Sequence, residues 1–298
     1  AAMSGFQVIN IPSGVDGCVD LDALRHGAVS SLASYRNRNV ICYYSGWLQR
    51  SSSPDIAICD NDMNGLMNAL HGLDRKRGLD LVLHTPGGDL AATEAIVSYI
   101  KSCFGSDVCA IVPQLAMSAG TMVACSCKKI VMGRQSSLGP TDPQLGGVAA
   151  GGVVEEFEHA VDEVGENPAS AALWAQIIGK YHPTFLGDCK KAMDMSRSVV
   201  SDWLRGNMLN GEAEGSEKVE KIIETLCDHR SSAMHNRHFS SQQLSDLGLK
   251  IEMMEDDDDL QDLILTVHHA FMISFQKSGS VKIIENDRGA CWIINSAG

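Results

Sequence analysis

Four short apolar runs, NVICYYS (39–45), LDLVLHT (79–85), VCAIVP (108–113) and KKIVMG (128–133), limit what this chain can fold into. Each has the length and the β-branched content of a buried strand. Helix-like segments separate the later runs. DLAATEAIVSYIKSCF (89–104) places Ile96, Tyr99, Ile100, Cys103 and Phe104 on one helical face, and SAGTMVACSC (118–127) reads as a helix of small residues. Strand–helix alternation sustained over about 95 residues implies a parallel sheet with right-handed crossovers.

The flanks extend this pattern. LDALRHGAVSSLASYR, from residue 21, has helical apolar spacing, and IAICDNDMNGLMNALHGL (56–73) reads as helical throughout. SSLGPTDPQLGGVAAGG (136–152) is a Gly/Pro-rich connector into long helices from about Val153 to His229, where Ala192, Met193, Ser196, Val199, Val200, Trp203 and Leu204 form one stripe. HFSSQQLSDLGLKI (238–251) predicts a serine-capped helix closed by Gly248, then a strand. The acidic run EDDDD (255–259) opens a last helix, and VKIIENDRGACWIIN ends the chain as a hairpin. The expected division is a main α/β domain over 1–252, with a helical arm over about 153–229, and a helix-hairpin extension over 253–298.

Composition narrows the chemistry. With 298 residues, 44% of them hydrophobic, the chain can bury a large core without staples. Its ten cysteines form no CxxC pair, and several sit inside apolar runs, which points to thiols in a reducing compartment; a cytoplasmic protein is the expectation. No run approaches the roughly 18–20 apolar residues of a spanning helix, so no membrane anchor is expected. AAMSGFQVIN lacks a signal-peptide pattern. A net charge of −13 argues against a nucleic-acid partner or an anionic membrane surface.

No GxxxxGK[ST] is present, so any ATP-driven unfolding would come from a separate partner, and no GxGxxG follows a strand. EDDDD lacks a calcium-loop pattern, and His235 and His238 have no nearby cysteine or carboxylate set. Neither a metal nor an organic cofactor is expected.

Two strand ends remain. LVLHTPGGDL (81–90) places adjacent glycines, Gly87 and Gly88, on the rim of a buried strand, where they serve either a turn or a ligand that needs bare backbone. In CAIVPQLAMSAGTMVA (109–124), Ser118 stands where a strand gives way to a helix, at the carboxyl edge of the sheet. It is either a helix N-cap or an exposed nucleophile. Its surroundings, Ala116-Met117-Ser118-Ala119-Gly120, are not the GxSxG of α/β-hydrolases. If the two strands are parallel neighbours, the Gly87–Gly88 amides lie beside the Ser118 hydroxyl and can act as an oxyanion hole. His84 reads as a satisfied core residue, and Cys125 and Cys127 as small hydrophobes.

LHTPGGDL, AMSAGTM and SSLGPTDPQLGG, in that order and spacing, resemble the serine dehydrogenase proteinase family, a branch of the Clp protease/crotonase superfamily related to signal peptide peptidase A. The resemblance spans roughly residues 35–250. It implies a ClpP/crotonase-like spiral of βαβ units, a nucleophile at Ser118, oxyanion amides at Gly87 or Gly88 with help from Ala119, a peptide or protein substrate, and a homo-oligomer. The base stays open. Where Clp protease carries a histidine, GPTDPQ offers Asp142 and no histidine, and Asp142 between prolines suits a turn better than an acid. Signal peptide peptidase A uses a downstream lysine, and Lys180 in WAQIIGKYHPTF falls in that interval. Its apolar approach, Trp174, Ile177 and Ile178, would lower a lysine pKa; the alternative is an idle lysine at a helix end.

His182 is the rival base. Related enzymes also supply the base from a neighbouring subunit. The resulting expectation is a soluble serine peptidase with a Ser-Lys dyad. The alternatives are a crotonase-like acyl-thioester enzyme, with Asp89 and Asp142 as its carboxylates, or a non-catalytic oligomeric scaffold.

Overall fold

The computed structural model describes residues 20–227 and 237–296. The amino-terminal AAMSGFQVIN, residues 228 and 229 at the end of the expected helical arm, and His235 lie outside the described residues.

The apolar runs become strands β1 (Asn39–Ser45), β2 (Leu79–His84), β3 (Val108–Val112) and β5 (Lys129–Met132). Between β3 and β5 comes the two-residue strand β4 (Leu115–Ala116). The central sheet has seven strands, ordered β10-β5-β3-β2-β1-β11-β12, with β10 at Ile251–Met253, β11 at Ser280–Asn286 and β12 at Cys291–Asn295. Its first five strands are parallel, as strand–helix alternation requires, and β11 joins β1 antiparallel. The carboxy-terminal hairpin therefore completes the main sheet.

Helices cover both faces. Helix α1 (Leu21–Arg36), capped by Asp20, packs with the helix Asp258–Lys277 on one face, where Leu32, Tyr44, Val82, Ile264 and Phe271 are buried together. The other face holds α2 (Asp62–Leu70), α3 (Leu90–Phe104) and α4 (Ala119–Cys125). Burial on both sides explains why these strands read as continuous apolar runs rather than alternating ones.

Two segments depart from the sequence reading. Residues 56–61 are not helical: Pro54–Ile56 forms a 3₁₀ turn, Ile58 is extended and bridges Gly88, and helix begins only at Asp62. The backbone groups of Ile58 bond across to Gly87 and Asp89, and those bonds replace the ones a helix would have made. The expected connector is also structured. It contains β6 (Ser137–Leu138), which pairs with β9 (Phe239–Ser240), and a hairpin of β7 (Gln144–Leu145) and β8 (Val148–Ala149), turned by Gly146 and Gly147 at φ 61° and 82°.

The arm comprises α5 (Ala150–Glu166), α6 (Ala171–Ile178) and α7 (Phe185–Trp203). Its small core joins Ala150, Val153 and Cys189 to Phe157, Tyr181 and Phe185. Helix α6, AALWAQII, contains no buried residue, although its composition is that of a core helix. Beyond the arm, α8 (Gly215–Leu226) returns to the sheet face that carries α3. The short helix Ser241–Leu247 has a capping box at Ser240 and ends at Gly248 in the left-handed region.

Candidate active site

The ends of β2 and β3 are parallel neighbours, and short backbone bonds carry their pairing beyond the strands. Thr85 donates to Leu115 O at 3.2 Å and accepts Met117 N–H at 3.0 Å. The TPGG turn and the MSAG turn therefore lie side by side. A Cβ on Gly87 would stand 2.7 Å from Met117 O and from Ser118 Cβ, and 2.8 Å from Ala119 N. Gly87 also has φ 93°, so the position demands glycine for both space and conformation.

Ser118 has φ 52° and ψ −118°. A positive φ at a non-glycine residue is strained, and it persists only where surrounding bonds over-determine it. Here Gly120 N–H donates to Met117 O at 2.8 Å, and Met122 N–H to Ser118 O at 3.2 Å. The Thr121 hydroxyl lies 2.9 Å from both Ala116 O and Gly139 O and accepts Gly139 N–H at 3.0 Å. Thr121 thereby ties the SLGP segment to the serine turn. The Ser118 side chain makes no capping bond to α4, so the N-cap reading fails. Ser118 is half-buried and lines a cleft of about 810 Å³.

The two glycine amides are not equivalent. Gly87 is buried and its N–H donates to Thr85 Oγ1 at 3.1 Å. Gly88 is exposed to the cleft, and among the described residues its N–H has no acceptor. Ala119 begins α4, so its N–H has no partner within the helix. Gly88, Ser118 and Ala119 thus line one cleft, and the N–H groups of Gly88 and Ala119 have no acceptor among the described residues. The remaining cleft walls come from Ile56–Ile58, from Gln144 and Leu145 of the hairpin, and from Met195 and Ser196 of α7.

The described residues lining this cleft include no lysine, histidine or arginine. Lys180 and His182 lie on the exposed turn between α6 and α7, outside the lining, with His182 Nδ1 3.1 Å from Thr184 Oγ1. One chain does not bring either to Ser118. Asp142 is buried, and its Oδ1 accepts Gly151 N–H at 3.2 Å, while Pro143 O accepts Ala150 N–H at 2.8 Å; this segment holds the start of α5. Asp89 caps α3 by accepting Ala92 N–H at 2.8 Å.

Beneath the TPGG turn, His84 is fully buried among Tyr44 and His268, with ring centroids 5.6 and 5.3 Å away. Its ring nitrogens lack a hydrogen-bond partner of normal geometry among the described residues, which corrects the expectation of a satisfied core histidine. Burial, reinforced by His268, pushes its pKa down to about 3, and burial brings His268 down to about 4. Cys125 and Cys127 are buried, and burial raises both thiols, Cys127 to about 12, so neither is a ready thiolate. No cluster suited to a metal ion occurs among the described residues.

The model of the ClpP-like SDH-type serine proteinases matches residues 56–266. The chain belongs to this family. The match takes in the TPGG turn, the Ser118 turn, the SLGP segment and the whole arm, and the mostly parallel sheet described above is a ClpP-like one. Two uncharacterized proteins of Methanocaldococcus jannaschii are similar in sequence. MJ0137 is 28% identical over 192 residues, covering 64% of this chain and 59% of its own length. MJ1495 is 24% identical over 190 residues, covering 64% and 57%. This chain thus spans less than two thirds of the curated relatives it matches. Among solved structures, an alanine mutant of the 1510-N membrane-bound stomatin-specific protease aligns with a TM-score of 0.41 at 14% identity, over 68% of this chain and 78% of that one. No described helix is long and apolar enough to cross a membrane.

The sequence reading missed Ile58 as a cleft strand and the β7–β8 hairpin as a cleft wall. The signals were present: Ile56-Ala57-Ile58 alternates after Pro54, and Gly146-Gly147 is a hairpin dipeptide.

Proposed function

We propose that this chain is a serine peptidase in which Ser118 attacks the carbonyl carbon of a peptide bond. The observation that carries the reading is the uncapped Ser118 at φ 52°, ψ −118°, in a cleft that Gly88 and Ala119 also line. The oxyanion of the tetrahedral intermediate would accept from those two amides, each worth about 10²–10³ in rate. The proton of Ser118 Oγ passes to the base and then to the leaving amine, and water later cleaves the acyl-enzyme. The Thr85 bond to Gly87 N–H favours Gly88 over Gly87 as the donor, and gives Gly87 the task of close contact with the serine turn.

In this reading Lys180 is the base and reaches Ser118 of a second copy. Support comes from the exposed apolar face of the arm: Leu173 on α6 is 59% exposed and Val161 on α5 is 73% exposed. Such surfaces call for a partner. Docking of that face against another copy would bury the approach to Lys180 and bring its amine to the cleft of that copy, where it can act as the base. The acyl-thioester alternative is disfavoured, because its carboxylates are otherwise engaged: Asp89 caps α3 and Asp142 holds the start of α5.

A fluorophosphonate probe tests the reading. The wild-type chain should label at a single serine, and Ser118→Ala should lose both labelling and peptide turnover. Labelling that survives in Ser118→Ala removes Ser118 as nucleophile, and a wild-type chain that assembles without labelling favours the scaffold.

A further inference from the structure

Lys282 is fully buried in β11, a strand whose neighbouring residues Val281 and Ile283 are apolar. Its Nζ lies 2.7 Å from Asp62 Oδ1 and donates to Ala57 O at 2.7 Å. Asp62 is fully buried too, and its other oxygen accepts Cys59 N–H at 3.0 Å and the Tyr43 hydroxyl at 2.6 Å. The ion pair therefore holds the backbone on both sides of Ile58.

Ile58 holds Gly88 in the same way. Its N–H donates to Gly87 O at 2.8 Å, and its carbonyl accepts Asp89 N–H at 2.9 Å. A Cβ on Gly88 would lie 2.3 Å from Ile58 N and O, so the two backbones pass at a distance only glycine allows. Two successive clamps connect the Lys282 ammonium to the peptide that carries the Gly88 N–H.

An apolar pair would fill this space at no electrostatic cost, whereas a buried ion pair adds stability only with excellent geometry and further hydrogen bonds. What the charges add here is direction, because besides the Tyr43 hydroxyl the pair bonds the backbone on both sides of Ile58, at Ala57 O and Cys59 N–H. Lys282 also lies beyond the 56–266 family match, on the hairpin that closes the sheet. We propose that Lys282, acting with Asp62, is a positioning residue that sets the Gly88 N–H for the oxyanion. The proposal rests on the serine-peptidase reading for its chemical purpose, though the clamp itself is measurable without activity.

The test pairs amide hydrogen exchange with the rate of fluorophosphonate labelling. Lys282→Met keeps side-chain length but strands the Asp62 carboxylate. Lys282→Met with Asp62→Asn strands no charge and retains acceptors for Cys59 N–H and the Tyr43 hydroxyl, so the double variant is the decisive one. Its Ile58 and Asp89 amides should exchange about tenfold faster or more, while those of Leu83 and Ile283 keep wild-type rates. Labelling of Ser118 should slow by about 10–10². Unchanged exchange at Ile58 and Asp89 overturns the clamp whatever Ser118 does. Loosened amides with undiminished labelling overturn its link to the oxyanion. A wild-type chain that resists the probe sinks the serine reading, and the oxyanion role with it, while exchange at Ile58 and Asp89 still decides whether the pair holds Gly88.

Discussion

Around Ser118 the backbone is held from several directions: by Thr85 and Leu115 along the strand ends, by Gly120 and Met122 within the turn, and by the Thr121 hydroxyl, which bonds both Ala116 O and Gly139 of the SLGP segment. Around Lys180 fewer bonds hold the chain: helix α6 buries no residue and meets α5 through Trp174 and Glu163, and the turn after it rests on Tyr181 and on local bonds such as Lys180 N–H to Ile177 O at 3.1 Å. The serine turn is pre-organised within one chain, and strain at φ 52° is affordable there because so many bonds oppose its relaxation. The arm is an apolar surface whose burial within one chain is incomplete. The proposed nucleophile and the proposed base thus sit on opposite kinds of structure, and assembly would join them.

The sharpest test exploits that contrast. Lys180→Met changes an exposed residue, so stability should move by no more than about 0.5 kcal/mol. Peptide turnover should nevertheless drop by about 10²–10⁴. Mixing Lys180→Met chains with Ser118→Ala chains should restore part of the activity, since each supplies what the other lacks. Unimpaired turnover in Lys180→Met would break the comparison and transfer the role to His182, whose Ala variant must then show the loss.

Gly87→Ala attacks the other side. A methyl group 2.7 Å from Met117 O at φ 93° should cost about 2–5 kcal/mol in urea denaturation and abolish labelling of Ser118. Gly72→Ala is the control: φ is 73° but no atom lies within 4 Å, so only the conformational cost of about 1 kcal/mol should appear.

Acid should act on the sheet beneath the serine turn. His84 and His268 have folded pKa values of about 3 and 4, below their ordinary 6.5, so the unfolded chain binds more protons between those limits. The stability they confer is complete above about pH 6.5 and is lost as pH falls through that range toward 4. Tm measured across it should fall by several degrees, and His84→Phe should flatten the slope. Thr121→Val leaves Gly139 N–H without its acceptor and should cost about 1–3 kcal/mol in urea denaturation while preserving the assembly.

Much of this was legible in the sequence. The strands and most helices follow from local periodicity, and Gly248 and Ser240 mark helix ends by rules that need only neighbours. The pair of motifs at adjacent strand ends followed from parallel topology. The exceptions share a physical cause. Residues 56–61 have helical spacing but lose it to bonds with Gly87 and Asp89, about thirty positions away, which no local pattern records.

The sequence by itself determined the parallel α/β layering, the glycines at the first strand end and the serine at the next, because each is a matter of composition and short-range spacing. Only the tertiary structure distinguishes Gly87 from Gly88, by giving the first amide to Thr85 and exposing the second residue. It alone removed the capping role of Ser118 and kept Lys180 out of the cleft of its own chain. It also brought Lys282 against Asp62 across 220 positions of sequence. Contacts of that span are set by how sheets close and helices pack, and the periods of 2 and 3.6 residues carry no record of them.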